Sequence, residues 1–177
     1  MRKRQLKKQI FCGAAALLLT SSSFSVFVSA EPRSDRPVQT VSTPKFDKAL
    51  VERGRYLAKT AGCNDCHTPG YATSDGHVDE AQWLIGDALG WEGPWGTTYP
   101  INLRLFMDDL SEEQWLAIAR SPARPPMPWF ALRDMTDQDL RALYVFVRSL
   151  GPAGEPAPDY VPPGQTARTP VIRFPAG

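Results

Sequence analysis

Three side chains crowded into five positions carry the clearest chemistry in this chain. Cys63, Cys66 and His67 stand in Cys63-Asn64-Asp65-Cys66-His67, two thiols separated by two residues, with an imidazole directly after the second. This spacing marks covalent haem attachment. A short turn allows each thiol to add to one of the two vinyl groups of a porphyrin, and the next residue then presents its imidazole beneath the iron. The reading predicts one haem c, bonded through Cys63 and Cys66, with His67 as the proximal iron ligand.

Other uses of these residues fit less well. A zinc site needs four ligands, and beyond residue 30 the chain has no cysteine outside the motif and only His77 as a further histidine. A thioredoxin-like redox pair expects strands and helices alternating around it, whereas this motif follows a helical pattern and leads into loops.

The sixth iron position has four candidates: Met107, Met127, Met135 and His77. Met127 is the expected distal ligand. It stands in Pro125-Pro126-Met127-Pro128, where proline rings stiffen the backbone and hold the weakly binding thioether in place. Met135 lies one residue before a helix cap and Met107 follows Leu105-Phe106, so both read as packing residues. His77, in Asp75-Gly76-His77, reads as a solvated loop histidine. A histidine and a methionine together leave no open position for oxygen or peroxide and raise the potential relative to two histidines. That coordination suits an electron carrier with no catalytic residue. The alternative is a haem enzyme or gas-binding sensor with a labile sixth ligand, against which stands the lack of a second histidine in the proline loop.

The elements that must position these groups are mostly helical. From Pro44, with Thr43 as N-cap, Leu50, Gly54, Leu57, Ala58 and Ala61 recur at helical steps until Gly62. Residues 69–110 show no sustained period apart from a short turn near Ala81 to Ile85. A stretch of this kind wraps around something, with Trp83, Trp91 and Trp95 as core or lid aromatics. Ser111-Glu112-Glu113-Gln114 reads as a capping box opening a second helix, with Trp115, Ile118 and Ala119 facing inward. Thr136 caps a third, lined by Leu140, Leu143, Tyr144, Val147 and Leu150 and stopped at Gly151-Pro152. The expected fold class is all-α: about three to five helices around a covalently bound haem, with an extended Pro-rich C-terminal tail. Seven prolines after Gly151 argue for an extended strap with no independent fold.

The first 30 residues read as a secretory signal peptide. Arg2, Lys3, Arg4, Lys7 and Lys8 precede an apolar run from Ile10 to Val28, which ends in Val28-Ser29-Ala30. Cleavage after Ala30 predicts a periplasmic protein; an uncleaved membrane anchor is the alternative. The expected organisation is 1–30 signal peptide, 31–43 flexible lead-in, 44–151 haem domain and 152–177 tail. Of 20 Lys and Arg, five lie in residues 1–30, leaving 15 against 19 Asp and Glu, a net charge near −4. That balance argues against nucleic acid, whose phosphates need a basic surface.

Together with Glu52-Arg53-Gly54-Arg55-Tyr56-Leu57, Thr98-Tyr99-Pro100-Ile101-Asn102-Leu103, Met127-Pro128-Trp129 and the run from Leu140 to Leu150, the motif resembles the class I c-type cytochrome family. The likeness is strongest to domains in the cytochrome subunits of bacterial membrane-associated dehydrogenases and runs from about Phe46 to Leu150. The resemblance implies that first and last helices cross closely, Gly54 making room for Phe146 with Leu143 nearby. It also implies a methionine ligand at the position of Met127. Redox partners would be a periplasmic or membrane-associated dehydrogenase and a terminal acceptor, with membrane contact through the partner or an uncleaved signal. Related domains often follow the Asn-Leu pair with Thr-Pro-Asp, whereas here Leu103 leads to Arg104. That arginine is expected to face a haem propionate or to be a solvated surface residue.

Overall fold

The computed structural model describes residues 46–175; the signal-peptide and lead-in expectations lie outside that range. Among the described residues are six helices: α1 (Lys48–Thr60), α2 (Cys63–His67), α3 (Leu103–Asp108), α4 (Glu112–Ala119), α5 (Trp129–Asp134) and α6 (Asp137–Leu150). Three short strands accompany them: β1 (Gly90–Gly93), β2 (Gly96–Thr98) and β3 (Val171–Arg173). The mostly helical architecture agrees with the all-α expectation, and the small sheet is an addition to it. None of these helices is long and apolar enough to cross a membrane.

Helix α1 begins where the Asp47 carboxylate accepts the amides of Ala49 and Leu50, at 2.8 and 3.1 Å. This corrects the start expected at Thr43 and Pro44. An aspartate directly before the helix satisfies two amides that would otherwise lack partners. The helix ends at Ala61, and Gly62, at φ 76°, opens the motif helix α2. A left-handed residue is needed there, and glycine adopts it without steric cost.

The first and last helices form the centre of the core. A Cβ on Gly54 would lie 2.0 Å from the Ala142 carbonyl oxygen and 2.5 Å from Phe146 Cβ, so α1 and α6 approach at a distance only glycine permits. Around that crossing Leu57, Ala58, Leu140, Leu143, Phe146 and Val147 are buried. Trp83 meets Phe146 edge to face at 6.3 Å and Tyr71 at 5.8 Å, which makes it a core aromatic. The capping box at Ser111 and Gln114 is formed on both sides, and Thr136 caps α6 through the Asp139 amide. Trp115 then ties α4 to α6 by donating from Nε1 to the Leu140 carbonyl at 2.8 Å.

The sheet has the order β2-β1-β3. Strands β1 and β2 form an antiparallel hairpin, with Trp91 opposite Thr98 and Gly93 opposite Gly96. Strand β3 belongs to the proline-rich tail and lies parallel to β1, Trp91 opposite Ile172. Phe174 beyond it packs on Trp91 and Trp95 at 5.9 and 5.4 Å. The tail is therefore a strap on the domain's own surface, and these two tryptophans are its seat.

Candidate functional site

One turn of helix α2 brings the three motif side chains onto neighbouring positions. Cys63 and Cys66 are free, half-buried thiols. Burial pushes the Cys63 thiol up to about 11 and raises that of Cys66, with the Asp65 carboxylate acting in the same direction on both. Neutral thiols with raised pKa values do not suit a redox-active pair, which needs an accessible thiolate.

His67 is buried, and its Nδ1 lies 2.8 Å from the Ile101 carbonyl oxygen. A carbonyl only accepts, so Nδ1 carries the hydrogen and Nε2 keeps its lone pair. Burial lowers the imidazole pKa, partly opposed by that bond, and so favours the neutral ring that binds metal. Two free thiols and one oriented, neutral imidazole fit the donor set that haem c requires. Among the described residues no group of three or more His, Cys, Asp and Glu side chains could hold a metal ion on its own.

The main-chain acceptor for His67 is itself held firmly. Gly86 N donates to His67 O at 2.9 Å, and Asp87 N to Pro100 O at 3.1 Å. A Cβ on Gly86, which sits at φ 78°, would come within 2.7 Å of Asn102 N and 2.9 Å of Pro100 O. Glycine thus lets the chain pass directly against the Pro100–Asn102 segment. Below it, Leu84 N donates to Thr68 Oγ1 at 2.8 Å, and Thr68 Oγ1 to Asn64 Oδ1 at the same distance.

Asn102 and Arg104 anchor the other side. Asn102 caps α3 through Oδ1 and donates from Nδ2 to the Ala153 and Glu155 carbonyls at the start of the tail. Arg104 is buried, and its guanidinium donates to the carbonyls of Leu150, Gly151 and Ala81. This corrects the solvated-surface expectation for Arg104: two of its donors meet the carbonyl end of α6, which offers partial negative charge and unpaired acceptors, and a third reaches Ala81. Sequence reasoning missed these anchors because their partners are main-chain atoms remote in sequence.

The four candidate distal ligands lie in different surroundings. Met107 is buried in the core, Met135 packs against it, and exposed His77 bonds through Nδ1 to Ser74 O at 2.8 Å. Met127 is half-buried, just before α5. Thr98 Oγ1 donates to Pro125 O at 2.7 Å, which ties the methionine loop to the end of β2. Thr98 and Ile101 are three residues apart, at most about 10 Å along an extended chain. One short segment therefore fixes both His67 and the Met127 loop.

A helical frame, a thiol-thiol-imidazole turn and an oriented proximal nitrogen define a haem-attachment domain. The family model described as Cytochrome c matches residues 51–151, and the chain belongs to that family. Its cofactor is covalently bound haem c with iron, and the family's work is electron transfer rather than catalysis on a substrate.

The chain is 30% identical over 116 residues to the cytochrome c subunit of alcohol dehydrogenase (quinone) from Gluconacetobacter polyoxogenes, covering 64% of this chain and 25% of that protein. It is 28% identical over 143 residues to the fructose dehydrogenase cytochrome subunit of Gluconobacter japonicus, covering 74% and 26%. It is 27% identical over 133 residues to a subunit of nicotinate dehydrogenase from Pseudomonas putida, covering 69% and 10%. The chain thus spans about a quarter or less of the length of these relatives. No solved structure matches it.

Proposed function

We propose that this chain is an exported, periplasmic single-haem electron carrier, passing electrons from a dehydrogenase toward the respiratory chain. In this reading Cys63 and Cys66 bear the haem, His67 is the proximal iron ligand and Met127 the distal one. The observation that carries it is the His67 Nδ1–H bond to Ile101 O, which directs a neutral Nε2 lone pair away from the protein acceptor. The dehydrogenase partner is supported by the relatives, which are named as dehydrogenase subunits.

When bound, the haem iron supplies one-electron exchange. The chain's own residues do the rest. Cys63 and Cys66 would hold the porphyrin edge as thioethers, each thiol taking one vinyl group. The Ile101 carbonyl raises the basicity of His67 and fixes its ring. Met127, in its proline loop, would be the second iron ligand, and its thioether would exclude water and small gases.

The test is the visible spectrum of the purified holoprotein, oxidised and then reduced, with carbon monoxide added to the reduced form. A six-coordinate c-type spectrum unchanged by the gas is expected. Prompt carbon monoxide binding would instead indicate an open or labile position, as in a gas-binding sensor. Export is checked separately, by fractionation and by the mass of the mature chain, expected to begin at Glu31.

A further inference from the structure

The methionine loop is gripped from two sides. Pro125 O accepts from Thr98 of β2, as described above. One residue earlier, the Arg124 guanidinium lies over the Tyr160 ring, 4.2 Å from its centroid. Tyr160 belongs to the tail and is itself fixed in place: its hydroxyl donates to Trp95 O at 2.7 Å. Its neighbour Val161 exchanges two main-chain bonds with Thr97, at 2.8 and 2.9 Å. Among the described residues no carboxylate pairs with Arg124, so the ring is what sets the direction of its side chain. From Arg124 the chain reaches Met127 through Pro125 and Pro126, whose rings lock φ and transmit the placement.

We infer that Tyr160 is a positioning residue for the sixth iron ligand, acting through Arg124 to hold the Met127 loop closed. This rests on the reading of Met127 as that ligand. The tail then governs how readily an outside ligand takes the position, although no tail residue need touch the iron.

Imidazole is the probe, titrated into the oxidised holoprotein and followed by the loss of thioether-ligated absorption. A cation over an aromatic face contributes enough to predict a roughly 2- to 30-fold rise in imidazole affinity for Tyr160→Ala, and a similar rise for Arg124→Gln. Tyr160→Phe, which keeps the face, should restore most of the wild-type affinity. The double variant Tyr160→Ala with Arg124→Gln should exceed neither single variant by much, because both remove the same contact. Arg124→Gln lies at the surface and keeps the test open if Tyr160→Ala fails to fold. Unchanged imidazole affinity in Arg124→Gln, or fully additive effects in the double variant, would overturn the inference. Met127→Ala separates the two levels. If it frees the position while Arg124→Gln does not, the strap fails and the ligand reading stands; if Met127→Ala changes nothing, both fail.

Discussion

Each motif side chain has one atom whose chemistry matters, and its surroundings determine whether that atom is usable. For His67 it is Nε2, left with its lone pair because Nδ1–H is committed to Ile101 O. Met127→Ala should retain covalent haem through the two thiols yet bind carbon monoxide promptly when reduced, read from the shift of the reduced spectrum. Gly86→Ala should act on the proximal side: its Cβ would press on Pro100 and Asn102 at a positive φ, costing roughly 1–3 kcal/mol in urea unfolding. The thiols and imidazole are legible in the sequence because their geometry is set within five residues. Ile101 is not, since its carbonyl is a group every residue possesses. Arg104 escapes for a related reason, its acceptors being carbonyls of α6 and of Ala81 that no spacing near it announces.

Long elements are legible and short ones are not. Helices α1 and α6 have enough turns to show a period, and the Ser111 and Thr136 caps use side chains directly beside the helix they open. Helices α3 and α5, six residues each, complete fewer than two turns, and the strands are shorter still. The α1–α6 crossing makes the strongest demand on a single residue. Gly54→Ala should destabilise by about 3 kcal/mol, the upper end of overpacking costs, because the Ala142 backbone it meets cannot rotate aside. The same helix pair is joined at its edge by Arg53 and Asp139, 2.9 Å apart. The Arg53 guanidinium lowers the Asp139 carboxyl pKa, so this contribution is full above the ordinary carboxylate range and lost as pH falls through the lowered value. Thermal midpoints of wild type and Asp139→Asn should accordingly differ at neutral pH and converge in acid.

At the scale of the molecule, the tail completes the domain rather than trailing from it. It accepts from Asn102 near its start, pairs through Val161 at its middle and adds β3 at its end. Deleting residues 159–177 should lower the thermal midpoint and speed trypsin cleavage after Arg120, ahead of the methionine loop, monitored by mass spectrometry of the fragments. If the tail instead served only to dock a partner, truncation would slow reduction by the proposed dehydrogenase partner and leave both of these readings unchanged. The proline count foretells extension but not where the extended chain lies, because prolines limit conformation without choosing a neighbour.

The parallel pairing of β1 with β3 also sets an order of events. A chain is synthesised from its N-terminus, and contacts between remote segments form late. The Cys63–His67 segment therefore emerges before α6, which crosses α1, and before β3, which pairs along the flank of the hairpin. Until β3 docks, Trp91 and Trp95 lack the cover that Phe174 gives them. The hairpin flank is thus the last part of the described fold to gain its neighbour, so Trp91 and Trp95 depend for their packing on the segment that forms latest.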